Sequence, residues 1–432
     1  MNVLVARLHG TGDIRVGTEE QPAVEEDAEA GEGDALVRVT AVGICGSDLH
    51  WWTEGAIGDA RLAHPLVLGH EGAGVIASGR RAGQRVAIDP AITCGTCRAC
   101  LAGYRNLCYQ IRFAGHGGTD GMLREVMAWP SALLHPLPDG VSDAEGALLE
   151  PLGVAVHSVD LGHLPFGGTA CVVGCGPIGL LLIAVLKAAG ADSVLAVEPL
   201  EHRRKAASRL GADVVAEPGW SDLSGVGVDV AFEAAGTDEA IGLALESVRP
   251  GGRVVLAGIP GDDAIRFRAS LARRKGLTIA MVRRMNRVYP RAISLAARGV
   301  VDLGSLVSSR AGLGAAAKAF GQAARRTGLK VVIEPLRCGS CVRSGWRWCS
   351  TAAACWRSFS SAGRLMRAAR AWPGSRRRRG RSWPGLAADG WRHGPGGGRS
   401  RFCPPAWGRG SARPGSGWSS ASWRGRGPPW RS

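Results

Sequence analysis

The run Thr169-Ala-Cys-Val-Val-Gly-Cys-Gly-Pro-Ile-Gly179 decides the fold of this chain. A short apolar strand leads into a loop with three glycines, and the residues after the loop have a helical pattern. In this setting the glycines allow a tight turn, and the start of the helix presents free N–H groups to a phosphate. The alternative is a glycine-rich turn in an unrelated α/β fold. We predict a dinucleotide-binding loop formed by Gly174, Gly176, Pro177, Ile178 and Gly179.

The preferred nucleotide is indicated by Glu198, which ends the next predicted strand 19 residues beyond Gly179. A carboxylate at this position hydrogen-bonds the ribose hydroxyls and repels a 2′-phosphate, so it favours NAD over NADP. Arg203 and Arg204 follow closely, and either could meet such a phosphate instead. We predict NAD as the cofactor, with Glu198 and Arg203 at its binding site.

Strand–helix alternation continues beyond the loop through residues 193–258. This alternation predicts a doubly wound parallel sheet covered on both faces, and hence an α/β fold of the Rossmann type. Residues 1–155 instead carry short alternating strands and glycine-rich turns, which predict a mostly-β domain. We therefore expect a mostly-β catalytic domain at 1–155, completed by about 290–336, and a Rossmann domain at 156–289.

Four cysteines, Cys94, Cys97, Cys100 and Cys108, have the spacing C-x2-C-x2-C-x7-C. Four thiolates close the tetrahedral shell of one zinc ion and leave no open position. We predict a structural zinc site that holds a loop together and takes no part in the chemistry. Thiolates that bind metal fit a reducing compartment, so a cytoplasmic location is expected.

A second metal site is indicated by Cys45, in the motif G-I-C-G-S-D-L-H, and by His70, in L-G-H-E-G-A-G. A catalytic zinc needs about three protein ligands and one exchangeable position. Cys45 and His70 are the first two candidates, and either Glu71 or Glu150 supplies the third. Considered alone, Cys45 would be interpreted as a small buried apolar residue and His70 as a structural histidine. Their presence beside the cysteine motif and the glycine loop favours a metal site.

These motifs resemble the zinc-containing medium-chain dehydrogenases, and specifically their polyol branch of sorbitol, xylitol and L-idonate 5-dehydrogenases. The resemblance covers about residues 1–336 and rests on residues 43–58, residues 65–71 and Glu150, where the alcohol dehydrogenase branch usually has cysteine. It implies a GroES-like fold for the β domain and a homo-oligomer, either a dimer or a tetramer. It also implies zinc-dependent transfer of hydride from a secondary hydroxyl of a polyol or sugar acid to NAD.

In that family the catalytic zinc is held at the positions of Cys45, His70 and Glu71. Glu150 is expected close to the metal, acting through a water molecule. The expected cofactors are therefore two zinc ions, one catalytic and one structural, together with NAD.

The resemblance also implies roles in proton transfer and substrate binding. Ser47 and His50 would pass the proton of the alcohol towards solvent. Arg283 aligns near an arginine that contacts the substrate in this family. Arg284 stands where an aromatic residue usually follows that arginine.

Other functions remain open at this point. L-Threonine 3-dehydrogenase and a simple alcohol dehydrogenase are alternatives, although Ser47-Asp48 and Glu150 favour polyols. A zinc-free quinone reductase of the same superfamily would lack the metal-binding residues that this chain contains. The non-enzymatic alternative is a protein that binds nucleic acid through its C-terminal segment. The last alternative is a misfolded or truncated gene product.

The net charge of +16 is confined to the C-terminal segment. Residues 337–432 hold 20 of the 53 basic residues and one of the 37 acidic residues, so residues 1–336 carry a net charge of −3. The segment is rich in Arg, Gly, Pro, Ser and Trp without a helical or strand period, which predicts a disordered tail or the product of a shifted reading frame. Its arginines and tryptophans could stack on single-stranded nucleic acid. Residues 1–336 give no reason to expect a nucleic-acid partner.

The N-terminal residues lack a charged segment followed by a long apolar one, so no signal peptide is expected. The longest apolar run, residues 178–186, is too short to span a bilayer. We therefore expect no contact with a membrane.

Overall fold

The computed structural model describes residues 1–24, 33–219, 223–261 and 263–336, and the predictions made for 337–432 lie outside this part of the chain. The strands before residue 140 are β1 Asn2–Gly10, β2 Asp13–Glu20, β3 Asp34–Gly43, β4 Ala56–Ile57, β5 Ala60–Arg61, β6 Leu66–Val67, β7 Glu71–Ile76, β8 Arg85–Ile88, β9 Ala91–Ile92, β10 Arg112–Phe113, β11 Val126–Pro130 and β12 Leu134–Pro136. The helices before residue 148 are α1 Gly46–Glu54, α2 Arg98–Leu101 and α3 Asp143–Ala147.

Helices and strands then alternate along the chain. In order they are α4 Leu149–Gly162, β13 Thr169–Val173, α5 Pro177–Ala188, β14 Ser193–Val197, α6 Glu201–Arg209, β15 Val214–Ala216, α7 Leu223–Val226, β16 Val228–Glu233, α8 Asp238–Ser247, β17 Val248–Leu256, α9 Ala269–Lys275 and β18 Thr278–Met281. The elements that follow are α10 Tyr289–Ala297, β19 Val307–Gly312, α11 Ala316–Ala324 and β20 Lys330–Glu334. Single 3-10 turns lie at Arg105–Leu107, Ser131–Leu133, Gly304–Leu306 and Leu313–Ala315.

Strand β3 is the centre of a seven-stranded mixed sheet in the order β12-β8-β7-β3-β20-β19, with β11 also paired to β3. Its sequence alternates buried and more exposed residues over much of its length, as a strand with one covered face does. At its end Gly43 pairs with Glu71 of β7 on one side and with Val332 of β20 on the other. This register brings the start of β7 and the start of β20 to the same point of the sheet.

The core of this β domain is apolar and closely packed. Helix α11 adds Phe320 to it, helix α1 adds Trp51, and strand β8 adds Ile88, all of which are buried. Burial of aliphatic and aromatic side chains is the main stabilising contribution to such a core. The mostly-β domain that the short strands predict is therefore present.

Six parallel strands form the second sheet in the order β15-β14-β13-β16-β17-β18. The chain order reverses between β13 and β16, and doubly wound sheets bind ligands at such a reversal, outside the carboxyl ends of the strands. Neighbouring residues of β13 are buried in different clusters, Val172 on one face and Cys171 on the other. The predicted Rossmann-type sheet is confirmed. Strands β15 and β18 were not predicted, because three or four residues are too few to show a period.

Helix α4 links the two sheets, because it packs against α5 and α10 and also reaches β7. Its first turn contains Glu150, so this carboxyl lies between the β domain and the parallel sheet. The boundary expected at residue 155 falls inside this helix and stays a prediction. Within the described residues, every helix is too short or too polar to cross a membrane.

Candidate metal and cofactor sites

The four cysteines of residues 94–108, here called the cysteine lobe, meet around one point. The sulfur of Cys108 lies 3.5 Å from that of Cys94 and 3.9 Å from that of Cys97, and all four sulfurs, with Cys100, lie within 4.8 Å of one another. Sulfurs bound at about 2.3 Å to a tetrahedral zinc are about 3.8 Å apart, so the spacing fits this metal. Backbone N–H groups of Cys97 and Thr96 lower the pKa of Cys94 to about 6, which favours the thiolate that zinc binds.

A second cluster consists of Cys45, His70 and Glu71, whose ligand atoms lie within 4.8 Å of one another. Cys45 is the residue that precedes helix α1, and Glu71 opens strand β7 directly after His70. A thiolate, an imidazole and a carboxylate are a donor set that suits zinc, and three protein ligands leave one position open. Within the described residues Glu150 does not belong to this cluster. The geometry therefore favours Glu71 over Glu150 as the third donor.

Asp48 orients this cluster, a role that the sequence did not reveal. Its carboxylate accepts hydrogen bonds from the backbone N–H of Cys45 at 2.9 Å and of Gly69 at 3.2 Å. Its Oδ1 atom also lies 3.4 Å from Nδ1 of His70, which leaves Nε2 of that ring for a metal. Carboxylates that hold a ligating histidine in this way set its tautomer and direction. The pattern of a capping residue and an acid three positions later in α1 is the signal that could have found it.

Lys330 is the other residue of this site that was missed. Its ammonium lies 2.6 Å from Oε1 of Glu71, to which it donates a hydrogen bond, and 2.6 Å from Oε2. Oε2 is buried and accepts no directed hydrogen bond in the described residues, so a metal ion would satisfy it. A side-chain carbon at Gly43 would overlap Oε2, which explains the glycine at this register position. A single lysine at the start of an apolar strand is a weak sequence signal for such a pair.

Ser47 and His50 lie three residues apart on helix α1, and their contacts differ. The hydroxyl of Ser47 is 3.4 Å from Nε2 of His70, so it reaches the metal-ligand cluster. The Nδ1 atom of His50 lies 3.0 Å from Oε1 of Glu54, on the outer part of the helix. The two predicted relay residues therefore stand in sequence from the cluster towards solvent.

Glu150 is buried at the start of helix α4. Burial raises the pKa of its carboxyl to about 7, and the charge of Glu71 adds to the rise while His70 and Lys330 oppose it. A carboxyl with a pKa near neutrality can hold or release a proton at physiological pH. Glu150 is thus placed close enough to the cluster to feel its charges.

The glycine loop joins strand β13 to helix α5, as predicted. Gly174 has a φ of 91°, a backbone conformation that favours glycine, and Gly176 is the residue before the helix. A side chain at Gly179 would overlap the carbonyl of Gly174, so the loop can close only with glycine there. Pro177 and Ile178 form the first turn of α5, whose N–H groups face the loop opening. These five residues form the start of a helix that can receive a pyrophosphate.

Glu198 and the two arginines after it have separate contacts. The carboxylate of Glu198 accepts hydrogen bonds from the backbone N–H of Cys175 at 2.7 Å and of Leu200 at 3.0 Å. Arg204 donates to the carbonyls of Glu198 and Pro199, so it stabilises this turn. Arg203 instead lies beside the glycine loop, and its buried Nε has no hydrogen-bond partner in the described part of the chain. Of the two, Arg203 is the arginine available to a nucleotide.

Arg283 and Arg284 follow strand β18 and point in different directions. The side chain of Arg283 is exposed, whereas the guanidinium of Arg284 is stacked on the ring of Phe113. Phe113 in turn lies beside His70, with 5.3 Å between the ring centres. Arg284 is therefore linked through Phe113 to the metal-ligand cluster, while the substrate contact predicted for Arg283 stays a prediction.

Comparison with known proteins agrees with this geometry. A family model described as an alcohol dehydrogenase GroES-like domain matches residues 31–139, and one described as a zinc-binding dehydrogenase matches residues 177–298. The sorbitol dehydrogenase of Bacillus subtilis (strain 168) is 33% identical over an alignment of 352 residues that covers 78% of this chain and 98% of that protein.

Two solved structures share the fold over most of their length. The L-idonate 5-dehydrogenase of Escherichia coli K-12 superposes with a TM-score of 0.73 at 27% identity, covering 77% of this chain and 98% of that one. A Sinorhizobium meliloti 1021 protein solved with bound NADP has a TM-score of 0.70 at 29% identity, covering 78% of this chain and all of that one.

Proposed function

Because this chain belongs to the zinc-binding alcohol dehydrogenase family, we propose that it oxidises a secondary hydroxyl of a polyol or sugar acid with NAD. The prediction of this family, of its GroES-like and Rossmann domains and of an oxidoreductase is confirmed. The observation that carries the proposal is the cluster of Cys45, His70 and Glu71, whose ligand atoms lie within 4.8 Å of one another. A separate cluster of four cysteines fits the second, structural zinc.

Zinc bound by Cys45, His70 and Glu71 would supply a Lewis acid that makes the substrate hydroxyl more acidic, and NAD would supply the hydride acceptor. Asp48 holds His70 in the orientation that this binding requires. The Ser47 hydroxyl lies next to the cluster and can accept the proton of the substrate hydroxyl while it passes its own proton on.

The proton then has a route to solvent along helix α1. His50 lies three residues beyond Ser47, and its side chain remains 21% exposed beside Glu54. An imidazole accepts a proton at one ring nitrogen and donates one from the other, so it suits a proton relay. Glu150, whose pKa is raised to about 7, can hold a proton near the cluster.

The preference for NAD rests on Glu198 at the end of strand β14. Its carboxylate lies at the turn that receives the adenosine ribose in this fold, where a second negative charge is unfavourable. Arg203 lies beside the same loop and could accept a phosphate, and one structural relative carries NADP. A dimer or tetramer and a cytoplasmic location complete the proposal. The seven described cysteines, none of them in a disulfide, support that location.

The test is reduction of NAD, with NADP in parallel, by the full chain carrying zinc. The substrates are sorbitol, xylitol, L-idonate, L-threonine and ethanol. We expect turnover of a polyol or of L-idonate with NAD, and faster turnover of L-threonine or ethanol would contradict the proposed substrate class. As a control, Cys45→Ser should abolish turnover and still bind NAD, since it alters the metal cluster and leaves the glycine loop intact.

A further inference from the structure

Residues 283–286 lie at the carboxyl end of strand β18, the edge of the sheet at which doubly wound folds bind their ligands. Arg284 has a φ of 56°, a left-handed conformation that is uncommon for residues with a side chain. A conformation of this kind persists only where the surrounding contacts impose it.

Contacts from two directions impose it here. The side-chain amide of Asn106 donates a 2.9 Å hydrogen bond to the carbonyl of Arg283, and that of Asn286 donates one of 2.9 Å to the carbonyl of Gly103. Both bonds tie the segment to the cysteine lobe. Met285 packs on the other side against helix α4, which begins beside Glu150. The direction of the Arg284 side chain is thus set by the lobe and by α4 together.

That direction places the guanidinium next to the metal-ligand cluster. Its central carbon lies 3.8 Å from the centre of the Phe113 ring, whose centre in turn lies 5.3 Å from that of the His70 ring. The Nη1 atom of Arg284 is inaccessible to water and has no hydrogen-bond partner in the described residues. Buried polar groups normally have partners, and an unpaired charged donor costs more than a neutral one.

One acidic group, Glu150, and one further arginine, Arg283, act on the charge of Arg284. Burial and the neighbouring charge of Arg283 lower the pKa of Arg284 to about 10, so the guanidinium is still cationic at neutral pH. Burial and the charges of both arginines lower the pKa of His116 to about 4, so this ring is neutral. Arg284 is therefore a cation next to a neutral His116, and Glu150 is the acidic group whose charge reaches it.

We propose that Arg284 binds an anionic group at the end of the substrate, a carboxylate or a phosphate, and selects acidic derivatives of polyols over neutral polyols. The planar guanidinium suits both groups because its N–H donors match two oxygens at once. A short sugar acid can present its carboxylate to Arg284 and one hydroxyl to the cluster. This inference rests on the proposed function, which it narrows to the acidic members of the substrate class.

The experiment compares matched pairs of compounds on the full-length zinc enzyme with NAD. The pairs are L-idonate with L-iditol, D-gluconate with sorbitol, and galactitol 1-phosphate with galactitol. We expect kcat/KM for the acidic member to exceed that for the neutral member by at least about tenfold. The pair with the larger ratio of kcat/KM for the acidic over the neutral member shows whether the anionic group is a carboxylate or a phosphate.

Substitutions then assign the preference to Arg284. Arg284→Gln should lower the ratio of kcat/KM for acid over neutral by about 10- to 100-fold, and Arg284→Lys should restore part of it. Arg274→Gln removes the same charge from an exposed position of helix α9 and should leave the ratio unchanged. An equal ratio in the wild type, or one that Arg284→Gln does not alter, would overturn the inference.

A binding measurement separates this inference from the proposed function. L-Idonate and L-iditol are titrated calorimetrically into the wild-type complex with NADH, in which no turnover occurs. Tighter binding of L-idonate that Arg284→Lys weakens supports the anion site even if no substrate turns over, in which case only the proposed function fails. If L-idonate and L-iditol bind equally well and neutral polyols are turned over, the anion site is overturned and the proposed function stands. Because the wild type and the lysine variant suffice, failure of Arg284→Gln to fold leaves the result decisive.

Discussion

The ammonium of Lys330 lies 2.6 Å from the carboxylate of Glu71, although 259 residues separate them along the chain. Strand β3 brings them together, because β7 pairs with one side of its end and β20 with the other. Both side chains are fully buried, and Lys330 also donates to the carbonyl of Ile44 at 3.0 Å. Burial opposes the charge of the lysine, yet the Glu71 carboxylate keeps the pKa of Lys330 above its ordinary value. The negative charge of Glu71, a candidate zinc ligand, is thus balanced by a lysine of the same chain.

Lys330→Met should therefore destabilise the zinc-free protein by about 3–5 kcal/mol, because Glu71 is left as an unpaired buried charge. Urea unfolding of the zinc-free protein measures this loss. With zinc bound at the cluster the loss should be smaller, since the metal compensates the same carboxylate. Lys330→Arg keeps the charge and serves as the control. A methionine variant as stable as the wild type in both states would contradict the pairing.

Gly43→Ala should weaken zinc binding at the cluster by about 10- to 100-fold, the range seen when the surroundings of a metal ligand are altered. The added methyl group overlaps Oε2 of Glu71, so the carboxylate must move. Competition with a chelator measures the affinity. Gly46→Ala is the matched control, because a side-chain carbon there meets nothing within 4 Å. Equal affinities in the two variants would show that Glu71 is not a ligand.

Cys94→Ser should remove one of the two zinc ions and loosen the cysteine lobe, which then becomes sensitive to proteolysis. The Michaelis constant for substrate should rise as well, because Asn106 and Gly103 of the lobe hold residues 283–286. Metal analysis and limited proteolysis check both effects. Cys45→Ser should also lose one zinc but leave the lobe resistant to the protease. Loss of both zinc ions in Cys94→Ser would show that the two metal sites do not bind zinc independently of each other.

Asp120→Asn should destabilise the protein by about 1–2 kcal/mol at neutral pH, allowing for solvent screening of this partly exposed group. The carboxylate accepts hydrogen bonds from Arg7, Arg124 and the backbone of Val67, and these partners lower its pKa although burial opposes them. The pKa of Asp120 is therefore lower in the folded protein than in the unfolded chain. The stability that this carboxylate contributes is fully present above the unfolded pKa of about 4, and it is lost as the pH falls through the folded pKa.

Unfolding of both proteins across this pH range tests the assignment of Asp120. The difference between wild type and variant should shrink as the solution becomes more acidic. A difference that stays constant down to pH values at which carboxylates are protonated would show that the contact is not electrostatic.

Glu198→Ala should lower the ratio of kcat/KM for NAD over NADP by about tenfold or more, because the charge that repels a 2′-phosphate is removed. The Michaelis constant for NAD should also rise, since the N–H of Cys175 loses its acceptor. Arg203→Ala should change the ratio in the opposite direction, as it removes the cation beside the loop. Initial rates with both nucleotides provide the measurement, and an unchanged ratio in both variants would exclude these residues from the choice of nucleotide.

Local motifs were predictable because their members are close in sequence as well as in space. Cys94, Cys97, Cys100 and Cys108 come together within one short lobe, and the glycine loop spans a single strand–helix junction. Asp48 lies inside a motif already recognised, and its hydrogen bond from Cys45 is local, but the one from Gly69 forms only in the folded protein. The short strands β15 and β18 carry too few residues for a pattern, and their parallel partners define them.

The order of residues was enough to predict which side chains can bind zinc and which loop can receive a dinucleotide, because these properties follow from donor chemistry and from the spacing within short motifs. Which charges lie beside the metal-ligand cluster depends on the folded structure. Lys330 reaches Glu71 only through the register of β3 with two other strands. Arg284 turns towards Phe113 because the cysteine lobe and helix α4 hold its backbone in a left-handed conformation. Contacts between distant segments balance buried charges, and no local pattern encodes them.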